Sequence, residues 1–157
     1  MYSFDTSAFM DWQARHYPLD VFVSLEARLG TLFATGHGAA VSLVREEIAA
    51  IGTPGLQAWS NSHKAFFIPL ASDIQAAGAL IEAGYPDLMD PKGLHESADA
   101  YVIALARVRD GIVVSQETSA AEKHKPKKAH YIPDVCRELG VPCINLLGLM
   151  RREGWTL

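Results

Sequence analysis

Along the chain, short apolar runs alternate with longer stretches in which apolar residues recur at helical spacing. The first run ends at an acid: Tyr2 and Phe4 alternate with polar Ser3, which predicts a short buried strand with Asp5 at its carboxyl end. Thr6 or Ser7 can cap the helix that follows, which carries Phe9, Met10 and Trp12, runs from Ser7 to about Tyr17 and is broken by Pro18. Val21, Phe22, Leu25, Leu29, Leu32 and Phe33 predict a second helix that ends around Gly36 and Gly38. Ala39-Ala40-Val41 is a short strand. Ser42 then caps a helix from Leu43 to Ile51 that displays Glu46 and Glu47, and Gly52, Pro54 and Gly55 stop it.

The second half repeats the alternation. A weak helix carries Trp59, and Ala65 to Pro69 is an apolar strand candidate. Ser72-Asp73-Ile74-Gln75 has capping-box spacing and opens a helix to about Ala83. Gly84 to Glu96 reads as an irregular loop, and Ser97 caps a helix from about Ala98 to Val108. Asp110-Gly111 turns into the almost wholly apolar strand Ile112 to Ser115, as expected in a buried parallel sheet. A long polar loop, a helix from Pro133 to Leu139, the strand Pro142 to Asn145 and a short helix complete the chain. Strands alternating with helices predict one α/β domain over residues 1–157. It is a three-layer α/β/α arrangement with a central, mostly parallel sheet of four to five strands and right-handed crossovers.

Composition narrows the class. A hydrophobic share of 49% and a charged share of 20% are those of a soluble globular protein. No apolar run approaches the roughly 20 residues of a membrane helix. An acid at position 5 and no basic lead argue against a signal peptide, so the expected location is the cytoplasm. A net charge of −4 argues against a protein that coats nucleic acid, yet allows an enzyme that handles it through metal ions and a local basic patch. Cys136 and Cys143, without a CxxC, read as core thiols in a reducing compartment. The histidines, His95 nearest the acids in sequence, lack metal-ligand spacing and are expected in loops or on the surface. Trp12, Trp59, Trp155 and the phenylalanines suit core or interface, and the aromatic-rich first two helices offer a dimer face.

The candidate chemistry is acidic. Asp5 ends the first strand, Glu46 or Glu47 lies early in the helix after the second, Asp99 opens a helix, and Glu117 lies just past the strand at 112–115. An open parallel sheet places ligands at the carboxyl ends of its strands, where these acids can meet. Each also has an ordinary explanation, since acids in a first helical turn are favoured by the macrodipole and Glu117 can be a loop charge. Clustered carboxylates raise one another's pKa unless a cation sits among them, and hard oxygen ligands suit Mg²⁺ or Mn²⁺. The sequence offers no fixed cationic partner nearby, although Arg45 adjoins the glutamates.

The segments Phe4 to Ala8, Val44 to Ile48, Ser97 to Ala106 and Val113 to Glu117, in this order, resemble a PIN domain. They are similar in particular to a group of uncharacterised bacterial PIN-like proteins related to VapC-type toxins. Ile132 to Cys136 and Cys143 to Leu147 extend the resemblance over nearly the whole chain. It implies a ribonuclease whose acidic cluster holds Mg²⁺ or Mn²⁺, with RNA as substrate, an antitoxin protein as partner and a homodimer as assembly. Carried over position by position, Asp5 is the central ligand, and Asp99 and Glu117 are further ligands, direct or through water. Glu47 matches the mid-chain glutamate better than Glu46. Ser115 matches the hydroxyl two residues before the last acid, and Thr6 or Ser7 the polar support. The departure is Glu117, where the family more often has Asp; its longer arm either reaches a ligand position or moves a second ion.

Lys123-His124-Lys125-Pro126-Lys127-Lys128 is a dense basic stretch close after Glu117. Lys123, Lys125, Lys127 and Lys128 are expected to contact RNA phosphates from a loop that is mobile before binding, or else to be solvated. Nucleotide-loop and nucleophile-elbow motifs are absent, and Ser7 stands where a haloacid-dehalogenase phosphatase would have its second aspartate. The second reading is a PIN-like module that binds RNA or protein without cleaving.

Overall fold

A computed structural model describes residues 1–18, 20–89 and 97–156. Among them, five strands form one sheet: β1 (Tyr2–Phe4), β2 (Gly38–Val41), β3 (Phe67–Ile68), β4 (Ile112–Val114) and β5 (Cys143–Ile144). Their order is β3-β2-β1-β4-β5, and every neighbouring pair is parallel. The described helices are α1 (Thr6–Met10), α2 (Leu25–Ala34), α3 (Ser42–Ile51), α4 (Pro54–Ser62), α5 (Ser72–Gly84), α6 (Asp99–Val108), α7 (Ile132–Leu139) and α8 (Leu146–Arg152). This is the expected three-layer α/β/α architecture. His95 and the end of the loop expected over Gly84 to Glu96 lie outside the described residues.

A parallel sheet covered by helices hides both faces of its strands. β1 is accordingly buried throughout rather than alternating, and Ser3 is fully buried. Its Oγ is satisfied by donating to the Val102 carbonyl of α6 at 2.7 Å, which ties the central strand to the helix that carries Asp99.

Several helix starts differ from the sequence reading. Asp5, not Thr6 or Ser7, caps α1, accepting from the Ser7 N–H. The helix continues through a wide π turn over Asp11–Arg15, closed by the His16 N–H on the Asp11 carbonyl at 2.9 Å. Ser42 and Ser72 lie inside α3 and α5, whose extended cap residues Val41 and Ala71 make no side-chain cap bond. Pro54 and Gly55 do not end a helix but begin α4, where Thr53 accepts from the Leu56 N–H at 3.2 Å. Val21 and Phe22 precede α2 in turns folded back on the Pro18 carbonyl.

The aromatic side chains of the first two helices are consumed by the chain's own core. Phe9 packs against Phe4, Phe33, Trp59 and Phe67 with ring centroids 5.6–5.9 Å apart, and Trp12 meets Trp59 edge-on at 4.8 Å. The apolar side chains left exposed beside them are Val21 and Val23. No described helix is long and apolar enough to cross a membrane. Cys136 and Cys143 are free thiols, the first buried in the core.

Candidate active site

β1 is the middle strand, with β2 and β3 on one side and β4 and β5 on the other. The chain order reverses between β1 and β4, and the carboxyl ends at such a switch point form a crevice. Asp5 follows β1 there, with its N–H donating to the Val114 carbonyl of β4 at 2.9 Å. Ser115 and Glu117 follow β4, Glu47 projects from α3 after β2, and Asp99 stands in the first turn of α6.

Asp5 is almost wholly buried and held by hydroxyls. The Ser115 Oγ donates to its Oδ2 at 3.0 Å, the Ser7 N–H does so at 3.2 Å, and the Ser7 hydroxyl makes a short bond to the same oxygen. The two serines also touch at 3.2 Å, so two of the three expected supporting residues, Ser7 and Ser115, reach the central acid. Thr6 supports a different one, donating to Oε2 of Glu47 in a short bond, while the Ala98 N–H donates to Oε1 at 2.8 Å. Glu46 is exposed on α3. The structure thus places Glu47, not its neighbour, among the other acids. Glu117 accepts from the N–H of Ile132, at the start of α7, at 3.0 Å.

The electrostatics join the four acids. Burial pushes the Asp5 carboxyl up, opposed by the Ser7 and Ser115 hydroxyls. Glu47 is raised by burial and by the charges of Asp5 and Glu117, against its bonds from Thr6 and Ala98. Asp99 lies well above the usual carboxylate range, because it is buried and faces Asp5, Glu117 and Glu47. Glu117 is raised by burial and by Asp5, opposed by the Ile132 N–H, Lys128 and Lys123. Mutual repulsion among buried carboxylates of this kind is what a divalent cation relieves.

The basic stretch is organised rather than loose. Lys128 Nζ donates to the Leu88 carbonyl at 2.7 Å and stands 3.7 Å from Oδ2 of Asp99, a cationic partner that the sequence reading did not find. Arg45 is not that partner, since its guanidinium donates to Asn61 on α4 at 2.8 Å. Lys123 and Lys128 lie over the Tyr131 ring, at 4.3 and 4.9 Å from its centroid, whereas Lys125 and Lys127 are exposed. Asp87 clamps the segment by accepting from the backbone N–H groups of Ala129 and His130, both at 3.0 Å. A cavity of about 390 Å³ lies beside it, lined by Pro86, Asp87, Met89, Lys127, Lys128, Ala129 and Tyr131.

Gln116 was also missed by the sequence reading. Its backbone N–H donates to the Ser7 Oγ, its side chain donates to Asp11, and its Oε1 accepts from Leu146 at the start of α8. It anchors the Ser115–Glu117 segment from both sides. Its position between two candidate residues was the available signal.

The donor chemistry of the four acids fits a hard divalent cation such as Mg²⁺ or Mn²⁺. Among the described residues, no three acidic, histidine or cysteine side chains already stand together as a closed ligand set. Thr6 and Ala98 engage both oxygens of Glu47, and Ile132 engages one of Glu117.

The all-parallel five-stranded sheet between helical layers is consistent with the three-layer PIN-like fold expected from the sequence. The chain belongs to the family described as Domain of unknown function (DUF4411), which matches residues 2–157. No curated protein matches the sequence. Among solved structures the fold is similar to FitAcB from Neisseria gonorrhoeae, with a TM-score of 0.50 at 16% identity, over 92% of this chain and 97% of that one.

Proposed function

We propose that this protein is a metal-dependent endoribonuclease, the toxin of a toxin–antitoxin pair. One observation carries the reading. Asp5, Glu47, Asp99 and Glu117, from four separate segments, converge at the switch point, where burial raises all four carboxyls and the charge of Asp5 raises the other three further. The PIN-like fold supports it.

Asp5 and Asp99 would hold Mg²⁺ or Mn²⁺ directly. Glu47 and Glu117 would hold the ion directly or through water. Such an ion lowers the pKa of a water and stabilises the departing oxygen of an in-line displacement at phosphorus. The chain's own part is to fix the carboxylates. Ser7 and Ser115 orient Asp5, Thr6 and the Ala98 N–H orient Glu47, and the Ile132 N–H holds Glu117. Lys123, Lys125, Lys127 and Lys128 supply positive charge beside the cluster for the RNA backbone. Water as nucleophile leaves a 5′-phosphate and a 3′-hydroxyl. An antitoxin and a second copy of the chain are the protein partners of this reading.

The test is cleavage of a mixed pool of structured RNAs with Mn²⁺ by the wild type and by Asp5→Asn. Metal-dependent cleavage by the wild type alone supports the reading. Equal activity of both proteins, or of neither, overturns it. The latter outcome would fit a PIN-like module that binds RNA or protein without cutting.

A further inference from the structure

Among the cations near the acidic cluster, Lys128 is held by the most partners. Its ammonium is fixed from three separate segments: the Leu88 carbonyl after α5 at 2.7 Å, the Asp99 carboxylate of α6 at 3.7 Å, and the Tyr131 ring at 4.9 Å. Its side chain is only 22% exposed. The backbone on both sides is clamped as well. The Lys127 N–H donates to the Tyr131 hydroxyl at 3.1 Å, and Asp87 accepts from Ala129 and His130. A surface lysine that merely awaited phosphate would not need this framework, and its neighbours Lys125 and Lys127 do without it.

We infer that Lys128 occupies the place of a second cation at the Asp99–Glu117 side of the cluster, so that the protein without RNA binds one divalent ion and not two. The inference rests on the metal-centre reading above and deepens it. Two observations support it. The ammonium lies within ion-pair distance of Asp99. The Glu117 carboxylate on the same side is also engaged by the Ile132 N–H, so it has less lone-pair capacity for a metal. A fixed positive charge repels a divalent ion approaching the same carboxylates, and more strongly in a partly buried site than in water. Asp5, bracketed by serines and without an ion pair among the described residues, keeps the single ion. Lys128 is therefore a positioning residue that sets metal number.

The test counts ions rather than turnover. Mn²⁺ binding to wild type, Lys128→Met and Lys128→Arg is measured by calorimetry, and the magnetic coupling of neighbouring ions by electron paramagnetic resonance, all without RNA. Circular dichroism and thermal melts establish that the variants are folded. One uncoupled Mn²⁺ in the wild type, two coupled ions in Lys128→Met and one in Lys128→Arg is the expected result. Two ions in the wild type, or one in a folded Lys128→Met, overturns the role of Lys128 while the metal centre stands. No Mn²⁺ bound by any of the three overturns the metal-centre reading itself.

Discussion

The Ala98 N–H donates to Oε1 of Glu47 at 2.8 Å, across 51 residues of sequence. This bond fixes an acid of α3 against the residue just before Asp99, so the positions of two carboxylates of the cluster are set together. Glu46, one residue earlier, is exposed and outside this arrangement. Glu47→Gln is therefore expected to weaken Mn²⁺ binding and RNA cleavage by about 10–100-fold, the loss typical where a residue supports or orients metal ligands. Glu46→Gln should leave both unchanged. Paired titrations and cleavage assays check this, and equal losses in the two variants would refute the assignment.

The bracket around Asp5 predicts a second effect. Ser115 donates to Asp5 and accepts from the Glu117 N–H at 3.1 Å, so one hydroxyl orients one acid and braces the backbone of another. Ser115→Ala should lower Mn²⁺ affinity by about 10–100-fold, with stability falling by about 1 kcal/mol for the lost bonds. Ser115→Thr, which keeps the hydroxyl, should recover part of the affinity. A Thr variant as weak as the Ala variant would assign the loss to packing.

Much of this was legible in sequence, and the limits have physical causes. The alternation of apolar runs and helical spacing found the sheet and its helices, because burial in a parallel sheet demands it. The acids were legible because strand ends and helix starts can be read from the same pattern. What satisfies Ser3 in its buried strand was not legible, since its partner Val102 on α6 is remote in sequence. The serines at 42 and 72 misled because cap and first helical residue differ by one extended backbone, which composition does not record. Lys128 was visible as part of a basic run, but its direction depends on Leu88 and Asp99, both remote in sequence.

The buried Ser3 bond offers a stability test away from the acids. Ser3→Ala removes a 2.7 Å hydrogen bond between β1 and α6 and should cost about 1 kcal/mol, or about 2–4 °C in Tm for a domain of this size. Gly111→Ala should cost more, about 1–3 kcal/mol, because a Cβ there would come within 2.6 Å of the Met1 carbonyl oxygen, which the β1–β4 ladder holds in place. Denaturant melts rank the two, and a harmless Gly111→Ala would mean that the start of β1 yields.

The acidic cluster makes the metal-free protein sensitive to pH in a direction opposite to ordinary acid unfolding. Asp5, Glu47, Asp99 and Glu117 all have folded-state pKa values above the usual carboxylate range, so the folded chain binds more protons than the unfolded one between the two. Stability from these groups is then fully present below the unfolded carboxylate pKa of about 4 and is lost as pH rises through the folded values. Asp134 behaves oppositely. Burial opposes its ionisation, but the N–H groups of Ala120 and Tyr131 and the Arg137 guanidinium outweigh that and hold it low, so its contribution is lost only on acidification. Above about pH 5 the cluster's slope is therefore the one that remains. In EDTA, the urea midpoint is expected to fall as pH is raised from there toward neutrality. Saturating Mn²⁺ should flatten the dependence, because the bound ion neutralises the carboxylates and stabilises the native state by mass action. Asp99→Asn should flatten it in EDTA as well and raise the neutral-pH Tm of the metal-free protein, while abolishing the gain from Mn²⁺. A midpoint that rises with pH in EDTA, or a metal-free Asp99→Asn less stable than wild type at neutral pH, would show that the ion pair with Lys128 outweighs the repulsion.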